Sequence, residues 1–248
     1  MFHPVTRIPL PLGLVGGKPE HPATKLKLAD FSPPPSPAAY PAAVDITLGL
    51  PTDTADLGNI ENRDCGLAGP GHNIIWMDDM AYRPGRVSTD GILDAWHAVN
   101  GGTDEGVTAD GVLAYWRDVG ICGCKLAASL VVDYNNREAM IAACFLMGGV
   151  HCMFTLPKCV QGMLLWDAPA GDDGGAWGGH WVWAFAAGPD GLLVNSWGQW
   201  IVVTWAFVER YAFDARAAIS QDDLDDDGIA FSGLNMDGLR AAIARLGA

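Results

Sequence analysis

Positive charge is what this chain has least of. Fifteen Lys and Arg stand against 29 Asp and Glu, a formal net charge of −14 over 248 residues. A nucleic-acid groove needs clustered cations, so that class of partner is not expected, and the acidity reads as a device for solubility. Long hydrophobic runs are missing as well. Half the residues are apolar, yet none of the runs approaches the ~18 residues of a membrane-spanning helix. Nor does the N-terminus read as a secretion signal, because Pro4, Pro9 and Pro11 break up its apolar stretch. No compartment follows from this.

A paired cysteine framework is also lacking. The six cysteines are Cys65, Cys122, Cys124, Cys144, Cys152 and Cys159. If one serves as a nucleophile, five remain (6 − 1), an odd number that suits free thiols. Cys144, Cys152 and Cys159 lie in apolar stretches where a free thiol packs as a small hydrophobe. A zinc site built from Cys122, Cys124, His151, Cys152 and Cys159 fits no ribbon or finger spacing. Asp223, Asp225, Asp227 and Gly228 begin like a calcium loop, but position twelve would be Leu234 where a bidentate Glu is required. No metal and no organic cofactor is expected.

What is present divides the chain into parts. Residues 1–44 are proline-rich, densest at Pro33-Pro34-Pro35-Ser36-Pro37, and predict an extended arm rather than helix or central strand. Helical patterns follow. Ile74, Ile75, Met77 and Met80 follow Cys65; caps at Ser88, Thr108 and Asn136 open three more segments. After Gly149 the pattern becomes short β-branched or aromatic runs: 150–156, 162–166, 180–187, 192–197 and 200–204. Helices followed by strands imply an α+β protein with a helical part over 45–149 and a β part over 150–215. Residues 216–248 read as an acidic loop and a last helix.

The chemistry concentrates at three places. Asp64-Cys65-Gly66 opens the first helical segment, where the helix dipole and free N–H groups stabilise a thiolate. Gly178-Gly179-His180 opens a strand, and Asn195-Ser196-Trp197-Gly198 closes the next, with Asn195 fifteen residues beyond the histidine (195 − 180) and a turn at Pro189-Asp190-Gly191 between them. A thiol, an imidazole to take its proton and an amide to orient that imidazole form a nucleophilic site.

This set resembles the papain-like cysteine peptidases. The resemblance implies a helical half carrying Cys65 and an antiparallel, barrel-like half carrying His180 and Asn195. It implies Trp197 as the ring shielding the His180–Asn195 contact, and a peptide or protein as substrate. The family's oxyanion glutamine sits six positions before the cysteine; here that position (65 − 6) is Asn59, a shorter amide donor.

Several features depart from the family. Cys65-Gly66-Leu67-Ala68-Gly69 lacks the usual second cysteine and tryptophan, and Pro70 stands early in the helix. His180 follows Cys65 by 115 residues (180 − 65), against the roughly 130 or more of the papain signature. The Pro-rich arm, Gly58-Asn59, Asp64-Cys65, Gly-Gly-His and Thr204-Trp205-Ala206-Phe207 resemble looser papain-like proteins of bacteria and their phages.

Two other functions compete. One is a papain fold reused as a structural or virion component, to which ten tryptophans and the long arm are suited. The other is a cell-wall peptidase with an Asp-Cys motif, for which His97 is the nearby histidine. The arm has two expected roles, as a propeptide through the cleft or as an assembly strap. The strap is favoured, because no helical pro-segment precedes Cys65.

Overall fold

In the computed structural model, residues 12, 14, 41–47, 55–81 and 85–224 are described. The chain runs β1 (Val44–Asp45), α1 (Cys65–Met80), α2 (Thr89–Asn100), α3 (Ala109–Asp118), β2 (Leu126–Val131), α4 (Arg137–Met147), β3 (Val150–Pro157), β4 (Leu165–Trp166), β5 (Ala176–Gly188), β6 (Gly191–Ser196), β7 (Gln199–Thr204), α5 (Trp205–Tyr211) and β8 (Ala212–Ser220). Ser88, Thr108 and Asn136 cap α2, α3 and α4 by accepting from the backbone N–H of the third helical residue, as their sequence positions predict. The expected last helix and most of the acidic loop lie outside the described residues.

One sheet, in the order β2-β8-β3-β5-β6-β7-β4, divides the core, with β1 added beside β5. All pairings are antiparallel except β4 with β7. Two expectations need correction here. The run 162–166 contributes only Leu165 and Trp166 to the sheet, and β4 runs parallel to its neighbour. Strands β2 and β8 were not anticipated. The first alternates buried and half-buried residues inside the helical third, and the second, an Ala-rich segment, sits between β2 and β3.

Each face of the sheet carries helices. On one side α4 and α5 pack over Val182, Ala184, Val194 and Phe154. On the other, α1, α2 and α3 pack over Trp181, Trp183, Phe185 and Met153. Strand β5 feeds both cores by alternation, the period-two signature of a buried strand.

Candidate active site

Helix α1 begins at Cys65 and runs unbroken through Pro70. Its glycines let the sheet come close. A Cβ on Gly69 would stand 2.9 Å from Trp181 Cδ1, and one on Gly66 would stand 2.5 Å from Val107 Cγ2. Trp181 faces α1, so His180, the residue before it on β5, turns to the opposite face of the sheet beside Phe154, and no hydrogen bond joins its ring to Cys65 among the described residues. Cys65 is fully buried.

Asp64 precedes it with a side chain that makes no capping bond. Both of its carboxyl oxygens are buried and lack hydrogen-bond partners among the described residues. Burial pushes its pKa up to about 8, so the carboxyl is neutral at pH 7 and places no negative charge beside the thiol. The turn bearing Asn59 folds over this residue: a Cβ on Gly58 would lie 3.1 Å from Asp64 Oδ2. Gly58 supplies that turn with a φ of +95°, and Leu57 also takes a left-handed φ of 54°. Asn59 itself is buried, and its Oδ1 lacks a hydrogen-bond partner among the described residues.

His180 is fully buried on β5. Trp197 stacks on its ring with centroids 4.2 Å apart and planes 12° apart, Trp166 meets it edge-on, and Trp177 stacks in turn on Trp197. Burial pushes the imidazolium down to about 3, leaving a neutral ring. Its Nε2 lies 2.7 Å from Ser196 Oγ. Its Nδ1 has no hydrogen-bond partner among the described residues.

The expected His180–Asn195 contact is not formed. Asn195 faces α1, where its Nδ2 lies 3.1 Å from His72 Nδ1. Strand register explains the exchange. Beyond the turn, Gly188 pairs with Gly191, Ala187 with Leu192 and Ala186 with Leu193; after a bulge at Phe185, Ala184 pairs with Val194 and Trp183 with Asn195. One extra residue flips every later side chain to the opposite face. Asn195 therefore shares the Trp183 face, and Ser196 shares the His180 face.

No protein-family model matches the chain, and no curated protein sequence matches it. Solved structures do match. Xylellain, a cysteine protease from Xylella fastidiosa, superposes with a TM-score of 0.65 at 14% identity, covering 86% of this chain and 97% of its own. A procathepsin B from Trypanosoma congolense gives 0.57 at 12% identity over 84% and 87% of the two chains. A cysteine protease from Carica candamarcensis gives 0.52 at 16% over 72% and 98%. The fold is papain-like.

Within that papain-like frame Leu12 and Leu14 lie against the Gly178-Gly179 pair. Leu14 donates its N–H to Gly179 O at 3.2 Å and forms an antiparallel bridge with Gly179 and a parallel bridge with Val107. Leu14 is buried in the same core cluster as Cys65 and Val107. A Cβ on Gly178 would stand 2.9 Å from Leu12 Cδ1, so the glycine pair before His180 admits this segment.

The other candidate groups fall elsewhere. No two of the six cysteines form a disulfide, and no three His, Cys, Asp or Glu side chains among the described residues gather as a metal site. Of the residues in the zinc alternative, His151 bonds Asn73, Cys152 is buried and Cys159 is exposed. His97 is exposed in the last turn of α2, against Trp96, whereas Cys65 is buried. No described helix is long and apolar enough to cross a membrane. Sequence reasoning missed Ser196, His72, Leu14 and the Asp64 carboxyl. Ser196 was visible inside the Asn-Ser-Trp-Gly motif, but the bulge that selects it was not.

Proposed function

We propose that the chain is a thiol hydrolase acting on peptide bonds, with Cys65 as nucleophile and His180 as base. The observation that carries this reading is Leu14, an extended backbone hydrogen-bonded to Gly179 and bridged to Val107 beside the thiol helix. A backbone acceptor at Gly179 and a pairing edge at Val107 suit an extended polypeptide.

The His180 ring supports the chemistry. With Nε2 engaged and Nδ1 without a hydrogen-bond partner among the described residues, Nδ1 is the nitrogen that would take the Cys65 proton. Transfer breaks S–H and forms Nδ1–H. The thiolate, stabilised by the start of a 16-residue helix, then attacks the peptide carbonyl carbon. The oxyanion would be held by the Cys65 N–H and the Asn59 amide. Collapse of the adduct expels the amine, which takes the proton back from Nδ1. Water, giving its proton to Nδ1, then attacks the thioester and releases the acid.

Leu14 lies along the wall a substrate would use, which supports the arm as a cleft occupant rather than a strap. The affinity with bacterial and phage proteins, and any virion role, rest on the sequence motifs alone. The test is hydrolysis of unfolded protein or peptide pools by the full chain. Cys65→Ala and His180→Ala should each lower turnover by about 10³-fold or more. Turnover that survives Cys65→Ala would remove the thiol from the mechanism.

A further inference from the structure

We infer that Ser196, not Asn195, is the positioning residue that holds the catalytic imidazole of His180. The inference rests on the hydrolase reading but can be measured apart from it. Its basis is geometric. The bulge at Phe185 changes the β5–β6 register from Ala186↔Leu193 to Ala184↔Val194. A hairpin without that extra residue would turn Asn195 toward His180; with it, Asn195 turns to the α1 face and Ser196 takes the place.

Each residue then finds a partner suited to its chemistry. Ser196, 2% exposed, puts Oγ 2.7 Å from His180 Nε2. Asn195, also 2% exposed, meets His72 of α1. His72 stands two helical turns from Cys65 (72 − 65 = 7), so the Asn195–His72 contact fixes the sheet against the nucleophile helix. It does not touch the base.

A hydroxyl can do what the amide oxygen was expected to do. When Cys65 gives its proton to Nδ1, the proton already on Nε2 stays there and Nε2–H donates its hydrogen bond to Ser196 Oγ. The ring is held with Nε2 on Ser196, which leaves Nδ1 as the nitrogen to carry the added proton. The hydroxyl differs from an amide oxygen in one respect: it can also donate. In the resting site Ser196 O–H can donate to Nε2 and leave the proton on Nδ1. The two neutral tautomers therefore coexist, and the base is armed only when the Nε2–H form is populated.

The test uses nitrogen-15 NMR of the histidine rings in the full chain carrying Cys65→Ala, which is independent of turnover. Ser196→Ala is expected to shift the His180 Nε2 resonance and speed exchange of its proton, and Ser196→Thr to restore both. Asn195→Ala is expected to shift the His72 ring and leave His180 where it was. With Cys65 intact, Ser196→Ala should lower kcat about 10- to 100-fold with KM changed less than about twofold. Ser196→Thr, which keeps the hydroxyl, should recover most of it. The inference is overturned if Asn195→Ala moves the His180 resonances and Ser196→Ala does not. It is equally overturned if kcat falls in Ser196→Ala while the His180 ring is unperturbed. Should hydrolysis survive Cys65→Ala, the hydrolase reading fails, and the ring resonances still decide which residue holds His180.

Discussion

Replacing Asp64 by Asn isolates the cost of a buried acid beside the nucleophile. The folded protein raises this carboxyl from 3.8 to about 8. Unfolded, it ionises near the ordinary value. Below pH 4 both states hold the proton and the side chain costs nothing electrostatic. Between pH 4 and 8 the folded state retains a proton that the unfolded state releases, so stability falls as pH rises, by about 1.4 kcal/mol per unit. Above pH 8 both states are ionised and the loss is complete. The span of about four units sets a ceiling of about 6 kcal/mol. Asparagine is nearly isosteric with the neutral acid, never ionises and is itself a good residue at a helix start. Denaturant unfolding of Asp64→Asn and of the parent should therefore coincide within about 1 kcal/mol at pH 4. They should diverge steadily toward pH 8, with the variant the more stable. Parallel curves across that window would refute the claim that Asp64 is a protonated acid in the folded state.

Two further outcomes follow from contacts at the cleft. Leu14→Asp puts a charge where a buried leucine packs among the Cys65 cluster; a thiol-reactive peptidase probe should label Cys65 faster in this variant than in the parent, and equal rates would show that the segment does not guard the thiol. Gly69→Ala adds a Cβ 2.9 Å from the Trp181 ring and should lower stability by about 1–3 kcal/mol despite alanine's better helix propensity; a rise in melting temperature would show that α1 and β5 are less tightly fitted.

The helices and most strands were legible because their signals are local. Ser88, Thr108 and Asn136 sit where caps must, and the β5 and β6 segments carry short β-branched or aromatic runs bounded by turn residues. Strand β8 was not legible. Its Ala215, Ala217 and Ala218 favour helix intrinsically, and only pairing with β2 and β3 makes them sheet. Likewise Cys65 and His180 stood out by motif, whereas the identity of the histidine's partner depended on a bulge at Phe185 that no composition rule predicts. Leu14 was hidden for a third reason: its bridges to Gly179 and Val107 join residues far apart in sequence, and nothing in a proline-rich arm announces where it will pair.

The central claim is that the Cys65 proton passes to His180, and the pH dependence of Cys65 alkylation tests it most directly. In Leu14→Asp, where the cleft is expected to open and to relieve the burial that keeps the His180 ring neutral, alkylation should proceed below the ordinary thiol range near pH 8.5, because a hydrated imidazolium stabilises the thiolate. His180→Ala in the same background should move the midpoint back toward that value. Identical profiles with and without His180 would contradict the account.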